Sequence, residues 1–343
     1  MPGLKKIALL LAVILLPSLG HSSDAYAGSV YESYEAQLLD RHKIINVVDD
    51  FLAFWKQAEG QTLRRQRKLW RRMVESRHKD YFDRAVYRDA SPEERVALLD
   101  QFLIRVPWYV EEITEFNKTA RAAVLEGLEN FKFRFGEYEQ KTDIYIGLGF
   151  FMFDGSVRPV QNEKGIPDTL CLGVEALASY SPDQLRVVIA HELFHLYHFS
   201  FLFQNPSPAD LREAHMPLMI EGLAVAGTEA VYPYMPATLY LHFSDEELAF
   251  QEQELVFNCE RFLGLMGDGA PSEEYEKWFT NASDEDLPAR GGYLLGYEVS
   301  KRVLAGFSLE QAVRMSPAQL REHAEEQLTA MISDQVLLVL PLN

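Results

Sequence analysis

Apolar residues recur at spacings of three and four from Val30 to about Asn130, which is the period of an amphipathic helix. One helix start is marked by Ser91, an expected N-cap, followed by Pro92 at the first helical position. We therefore predict that residues 28–130 form a helical N-terminal region. Two apolar faces show the period: Val47, Val48, Phe51, Phe54 and Trp55, and then Leu98, Leu99, Phe102 and Leu103.

The pattern changes after Asn130. Phe131, Phe133 and Phe135 alternate with charged residues, which predicts an extended segment. Residues 143–151 and 169–174 are apolar runs rich in β-branched or aromatic side chains, and they predict two further strands. We therefore expect a small sheet and an α+β fold that is mostly helical.

A buried helix is predicted after the capping box of residues 181–184, because its apolar residues lie on nearly every side. His191, Glu192 and His195 lie in this apolar stretch, where burial without partners costs several kcal/mol. At positions i and i+4 the two histidines can bind one Zn²⁺, with Glu192 beside it. His198 lies about 10.5 Å along the axis from His191, so we expect it to pack rather than to bind the same ion.

A second apolar helix, residues 216–227, supplies the expected third ligand, since catalytic zinc sites use three protein ligands. Glu221 is the carboxylate in this stretch, although it could instead be an exposed acid at the start of the helix. Gly222, Ala224 and Gly227 would allow this helix to approach the first closely. The alternative ligands are Glu229, Asp210 and His215.

Charge and cysteine content exclude several classes of function. The formal net charge of the 343-residue chain is −18, so it repels phosphate backbones and we expect no nucleic-acid partner. The chain has 2 cysteines, too few for a cysteine cluster around a metal ion. Cys171 and Cys259 could form a disulfide or remain as two buried thiols.

The first 27 residues have the pattern of a secretory signal peptide. Lys5 and Lys6 precede a short apolar run, residues 7–16, and small residues at Ala25 and Ala27 suit a cleavage site. Ten apolar residues cannot cross about 30 Å of hydrocarbon, so we expect no stable membrane span after cleavage. The sequence therefore predicts an exported protein, periplasmic or secreted by a bacterium.

The motif H-E-L-F-H at residues 191–195, followed by E-G-L-A at 221–224, resembles a gluzincin-type zinc metallopeptidase. More narrowly, residues 143–304 resemble a poorly characterised family of predicted zinc-dependent proteases. The resemblance implies a zincin-like domain over residues 131–343, a small sheet packed on the helix of the H-E-L-F-H motif, and a Zn²⁺ cofactor. The other matching pieces are Phe153-Asp-Gly155 with Arg158, Leu172-Gly-Val-Glu175, and Gly292-Tyr293-Leu-Leu-Gly296-Tyr297.

The resemblance also implies roles for individual residues. His191, His195 and Glu221 would hold zinc, and Glu192 would act as general base on a zinc-bound water that attacks a peptide bond. Two alternatives remain: a zinc hydrolase of non-peptide amides or esters, and a non-enzymatic helical binding protein with structural zinc. Candidates for a donor that stabilises the oxyanion are Tyr293 and Tyr297, which could equally pack in the core, and His242.

Overall fold

The computed structural model describes residues 41–136, 141–162, 165–204, 212–268, 272–280 and 289–339. These residues belong to one structural unit that runs from Leu38 to Asn343. The predicted signal peptide lies outside the described residues, and so does Asp210.

Helices dominate the fold and surround one small mixed sheet, which confirms the predicted α+β class. Short π-helical segments at Arg71–Glu75 and Phe82–Tyr87 and 3₁₀ turns at Val106–Tyr109 and Lys277–Phe279 connect some of them. The α-helices are α1 (Val48–Ala58), α2 (Leu63–Trp70), α3 (Lys79–Tyr81), α4 (Pro92–Arg105), α5 (Val110–Arg134), α6 (Val174–Leu177), α7 (Pro182–Leu202), α8 (His215–Val231), α9 (Ala237–Leu241), α10 (Asp245–Gln253), α11 (Leu255–Asp268), α12 (Ser272–Glu276), α13 (Gly291–Leu304), α14 (Leu309–Ala312) and α15 (Pro317–Val339).

The sheet has four strands in the order β1-β2-β4-β3. Strands β1, β2 and β4 are parallel, and β3 runs antiparallel to β4 at one edge. The strand predicted at 169–174 is confirmed as β4, and the one predicted at 143–151 is confirmed as β2 up to Gly147, beyond which the chain forms a loop. The strand bounds are β1 (His42–Asn46), β2 (Thr142–Gly147), β3 (Gly155–Arg158) and β4 (Thr169–Gly173).

Strand β1 lies in the region for which the sequence predicted helices alone. Its residues pair with β2 in parallel register from His42 with Thr142 to Asn46 with Ile146. The helical prediction is therefore wrong for these five residues. Pairing partners about 100 positions away along the chain form this strand, and a local helical period does not detect them.

The extended segment predicted at Phe131, Phe133 and Phe135 is wrong. Helix α5 continues to Arg134. Phe131 and Phe135 are buried, whereas Phe133 is 92% exposed. Positions i and i+4 share one helix face and i+2 points away from it, so three alternate aromatic residues fit a helix end as well as a strand.

The sheet packs on α7, and α8 lies between α7 and α13. A Cβ atom on Gly227 would lie 2.0 Å from Phe194, so this glycine lets α8 approach α7, as predicted. Gly222 was predicted to do the same, but it faces α13: a Cβ atom there would lie 2.1 Å from the carbonyl oxygen of Gly296. The small residues of α8 therefore serve two neighbouring helices.

Cys171 and Cys259 are free, buried thiols in β4 and α11. The sequence left open a disulfide or two buried thiols, and the structure agrees with the buried thiols. None of the helices in the described ranges has the length and apolar character needed to span a bilayer.

The buried carboxyl group of Glu175, on α6, is hydrogen-bonded to the loop that follows β2. Glu175 accepts a hydrogen bond of 2.8 Å from the backbone N–H of Phe151. Phe150 and Phe151 have φ angles of 55° and 60°, which strain residues that carry a Cβ atom. Burial raises the pKa of Glu175 to about 7, although backbone N–H donors of the loop oppose the change.

The pKa of Glu175 predicts a dependence of stability on pH. The folded protein binds this proton more tightly than the unfolded chain, whose glutamate pKa is 4.5. The stabilisation is therefore complete below pH 4.5 and is lost as the pH rises to about 7. Each unit of pKa corresponds to about 1.36 kcal/mol. Over this pH range the wild type should therefore lose about 3 kcal/mol of unfolding free energy relative to the Glu175→Gln variant.

Urea unfolding of both proteins at about pH 4 and about pH 8 would measure this difference. Other titrating groups, Glu192 among them, are present in both proteins and cancel. A difference in unfolding free energy that stays constant over this range would contradict the prediction.

Candidate metal centre

Helix α7 begins with the predicted capping box. The hydroxyl of Ser181 accepts a hydrogen bond from the backbone N–H of Gln184 at 3.2 Å, and the Gln184 side chain accepts one from the backbone N–H of Ser181 at 2.9 Å. The helix continues for 21 residues, and both Glu192 and His195 are buried. Because His191 and His195 lie about one turn apart, they share a face, and their Nε2 atoms are 3.0 Å apart.

Helix α8 places Glu221 against both histidines. Its Oε2 atom lies 3.1 Å from the Nε2 atom of His191 and 3.4 Å from that of His195. Ligand atoms at about 2.0–2.1 Å from a tetrahedral zinc lie about 3.3 Å from one another. The three separations therefore fit a single ion, and these side chains form a group that could hold a metal.

The ionisation of these three side chains suits a metal site. Burial alone would raise the pKa of Glu221, but the charge of His195 and hydrogen bonds with both histidines hold it well below its usual range. Burial lowers the pKa of His191. At His195 burial also acts to lower the pKa, but the negative charge of Glu221 outweighs it, and the pKa is raised. Metal ions bind ionised carboxylates and neutral imidazoles. A bound cation would therefore take the place of the proton on His195 that the negative charge of Glu221 stabilises.

Glu192 lies beside the ligand group without belonging to it. Together with His191 and Tyr293 it lines a cavity of about 70 Å³. Gly155 at the start of β3 permits this arrangement, because a Cβ atom there would lie 2.7 Å from the Cγ atom of Glu192. Burial raises the pKa of Glu192 to about 7. A carboxyl group with a pKa near neutrality can both accept and release a proton.

Asp154 and His242 also line the cavity. The carboxylate of Asp154 accepts hydrogen bonds from the hydroxyl of Tyr180 at 2.8 Å and from the backbone N–H of Gly155 at 2.7 Å. Burial, reinforced by the charge of Arg290, lowers the pKa of His242 to about 4. His242 is therefore a neutral side chain at pH 7.

A model of the protein family described as "Predicted Zn-dependent protease (DUF2268)" matches residues 138–322. The chain belongs to this family. Searches of curated proteins and of solved structures gave no match. The matched segment contains the three candidate ligands and Glu192, whereas β1 and helices α1 to α5 precede it. The resemblance inferred from the sequence is confirmed at the level of the family.

Tyr293 and Tyr297, both on α13, were predicted as candidate donors that stabilise the oxyanion. The structure places these two side chains in different surroundings. Tyr293 lines the cavity, with its ring centroid 6.3 Å from that of His191. Within the described residues, its hydroxyl makes no hydrogen bond. The hydroxyl of Tyr297 donates to the carboxylate of Glu229 at 2.7 Å, and Tyr297 is not among the cavity residues that the structure describes.

Two of the alternative ligands, Glu229 and His215, are not part of the group that His191, His195 and Glu221 form, and the third, Asp210, lies outside the described residues. Glu229 accepts the hydrogen bond from Tyr297, and the Nε2 atom of His215 lies 3.0 Å from the carbonyl oxygen of Pro317. His198 is fully buried between aromatic rings, and neither ring nitrogen has a partner among the described residues. Burial lowers its pKa to about 3, so it is neutral.

Sequence reasoning missed Arg290 and assigned no role to Asp154. Both line the cavity beside Glu192 in this predicted zinc-dependent protease. Asp154 is part of the Phe153-Asp-Gly155 piece that carried the resemblance, so a local signal existed. Arg290 immediately precedes α13, but no spacing in the sequence relates it to the two metal-binding helices.

Proposed function

We propose that this family member is an exported zinc metallopeptidase, periplasmic or secreted by a bacterium, that hydrolyses peptide bonds. The observation that carries the proposal is the meeting of His191, His195 and Glu221 at separations suited to one zinc ion, with Glu192 buried beside them. Structural zinc sites have four protein ligands, and catalytic sites have three. In the described part of the chain, three ligands meet here, which favours the catalytic kind.

The chemistry follows from the placement of these side chains. Zinc held by the two histidines and Glu221 supplies a Lewis acid that lowers the pKa of a bound water toward neutrality. Glu192, buried beside the three ligands, accepts the proton of the attacking water and returns it to the leaving nitrogen. Tyr293 lines the same cavity with a hydroxyl free of hydrogen bonds to described residues, so we assign it the donor that stabilises the oxyanion.

Metal content and peptide hydrolysis, measured on protein recovered from an exporting bacterial host, test the proposal. We expect a mature N-terminus near Gly28, bound zinc, and cleavage of a mixed peptide library, followed by mass spectrometry. A chelator should abolish cleavage, and zinc should restore it. Glu221→Ala should lose both zinc and cleavage, because two histidines under-coordinate the ion. Glu229→Ala is the matched control and should keep both.

Other outcomes would select the alternatives. Zinc that is kept by Glu221→Ala and lost by Glu229→Ala would move the third ligand to Glu229. Hydrolysis of esters or non-peptide amides without cleavage of peptides would favour the second kind of hydrolase. Bound zinc without any hydrolysis would favour a helical binding protein. A wild-type chain that binds no metal, even when zinc is supplied, would refute the proposal.

A further inference from the structure

Arg290 is fixed at the entrance to α13, next to the candidate metal centre. Its φ angle of 57° lies in the left-handed region, which residues other than glycine rarely adopt. The backbone N–H of Arg290 donates to the carbonyl oxygen of Thr280 at 2.9 Å, and its carbonyl oxygen accepts from the N–H of Tyr293 at 3.0 Å. The guanidinium lies over the ring of Tyr293, 4.2 Å from its centroid. The backbone and the stacked ring thus hold this cation at the cavity.

The charge of Arg290 is not paired with a carboxylate among the described residues. Within the described residues, no acidic oxygen lies within 4.0 Å of its guanidinium, and its buried Nε atom has no hydrogen-bond partner. Arg95 and Arg134, which are also partly buried, pair with Asp83 and Glu310. Arg158 resembles Arg290, since its buried Nε atom also has no partner among the described residues. A partly desolvated cation without an anion is costly, so this position is suited to binding an anion.

The surroundings restrict which anion can bind. Arg290 shares its cavity of about 70 Å³ with His191 and Glu192, where the scissile bond would lie. This cavity has room for a small group such as a carboxylate. The planar guanidinium matches a carboxylate with two parallel hydrogen bonds. Asp154 lines the same cavity and accepts from Tyr180 and Gly155, but it forms no ion pair with the guanidinium.

We propose that Arg290 is a specificity residue that binds a carboxylate of the substrate next to the scissile bond. This inference rests on the proposed peptidase function and names its substrate class: peptides that carry a carboxylate close to the cleaved bond. That carboxylate is either the free C-terminus of the peptide or the side chain of an acidic residue. The two sources share one chemistry, and the experiment separates them.

The first arm measures hydrolysis by the zinc-loaded full chain. One acetylated tripeptide library is prepared with free C-termini and again with amidated C-termini, and each has subsets that contain or lack Asp and Glu. We expect a preference of about tenfold or more in kcat/KM for one carboxylate source, carried by KM, which is the size expected for a hydrogen bond between charged groups. Arg290→Gln should remove the preference, so that kcat/KM falls about tenfold more for the carboxylate-bearing peptides than for the neutral ones. Arg290→Lys should restore part of it, because the charge returns without the planar fork.

The second arm measures binding without turnover, so that it remains informative if no peptide is cleaved. Zinc-loaded Glu192→Gln protein is immobilised, and the retained library members are quantified by mass spectrometry. We expect the carboxylate-bearing peptides to be retained about tenfold better than the neutral ones, and Arg290→Gln in the same background to abolish the difference at equal zinc content. Arg302→Gln is the matched control, since Arg302 lies in the last turn of α13 and pairs with Asp334 at 2.9 Å.

The outcomes of the two arms separate the inference from the proposed function. Selective retention without hydrolysis would support the role of Arg290 and count against the peptidase. Hydrolysis with no preference for a carboxylate, or a preference that survives Arg290→Gln, would overturn the inference and leave the peptidase standing. Equal loss of neutral and acidic substrates in Arg290→Gln, together with zinc loss, would show a purely structural role.

Discussion

Replacing Glu192 with Gln is expected to lower kcat for peptide hydrolysis by about 10²–10⁴-fold, the usual contribution of a general base, and to leave the zinc content unchanged. The two effects separate because the ligand atoms belong to His191, His195 and Glu221, whereas Glu192 lies beside them. The substituted amide has the same shape as the carboxyl group but cannot accept a proton. Because the carboxyl group is buried with a pKa of about 7, a neutral replacement fits its surroundings.

Single-turnover kinetics and metal analysis of the same preparation would check this expectation. Asp183→Asn is a suitable control: Asp183 lies on the same helix, but it is exposed and pairs with Arg186 at 2.7 Å. Its activity should match that of the wild type. Full activity in Glu192→Gln would place the general base elsewhere, and zinc loss in this variant would show that Glu192 supports the metal directly.

The local part of the site could be predicted from the sequence because helix geometry is local. The capping box at residues 181–184 and the i, i+4 spacing of His191 and His195 define the start and one face of α7 within a few turns. Glu221 could be proposed because an acid in an apolar stretch needs a partner. Its position 3.1 Å from His191 agrees with that argument, and the ligand role itself stays a prediction.

Features that depend on distant segments could not be predicted in this way. Strand β1 exists through its pairing with β2, and five residues carry too little local pattern to reveal it. Phe131 and Phe135 are compatible with helix and strand until their burial is known. Arg290 reaches the metal centre because α13 packs on α8, and that contact depends on glycines whose partners the sequence does not name.

The close contact of α8 with α13 leads to a second large expected effect. A Cβ atom on Gly222 would lie 2.1 Å from the carbonyl oxygen of Gly296 and 2.7 Å from the hydroxyl of Ser300. A backbone carbonyl in a helix cannot rotate away as a side chain can, so Gly222→Ala must force the two helices apart. Overpacking of this kind costs about 1–3 kcal/mol, and we expect the upper end of that range because the nearest neighbour is a backbone carbonyl group. Glu221 is the neighbouring residue, so the same displacement should also weaken zinc binding.

Gly264→Ala provides the matched control for this prediction. Gly264 lies in α11, and a Cβ atom there would have no neighbour within 4 Å. The same substitution should therefore be neutral or stabilise the protein by up to about 1 kcal/mol, through the higher helix propensity of alanine. Urea unfolding and zinc titration of both variants measure the two effects. Equal stability of Gly222→Ala and Gly264→Ala would mean that α8 and α13 do not meet at these glycines. A stable Gly222→Ala variant with weakened zinc binding would instead show that the helices separate at low cost, and that their spacing chiefly sets the position of Glu221.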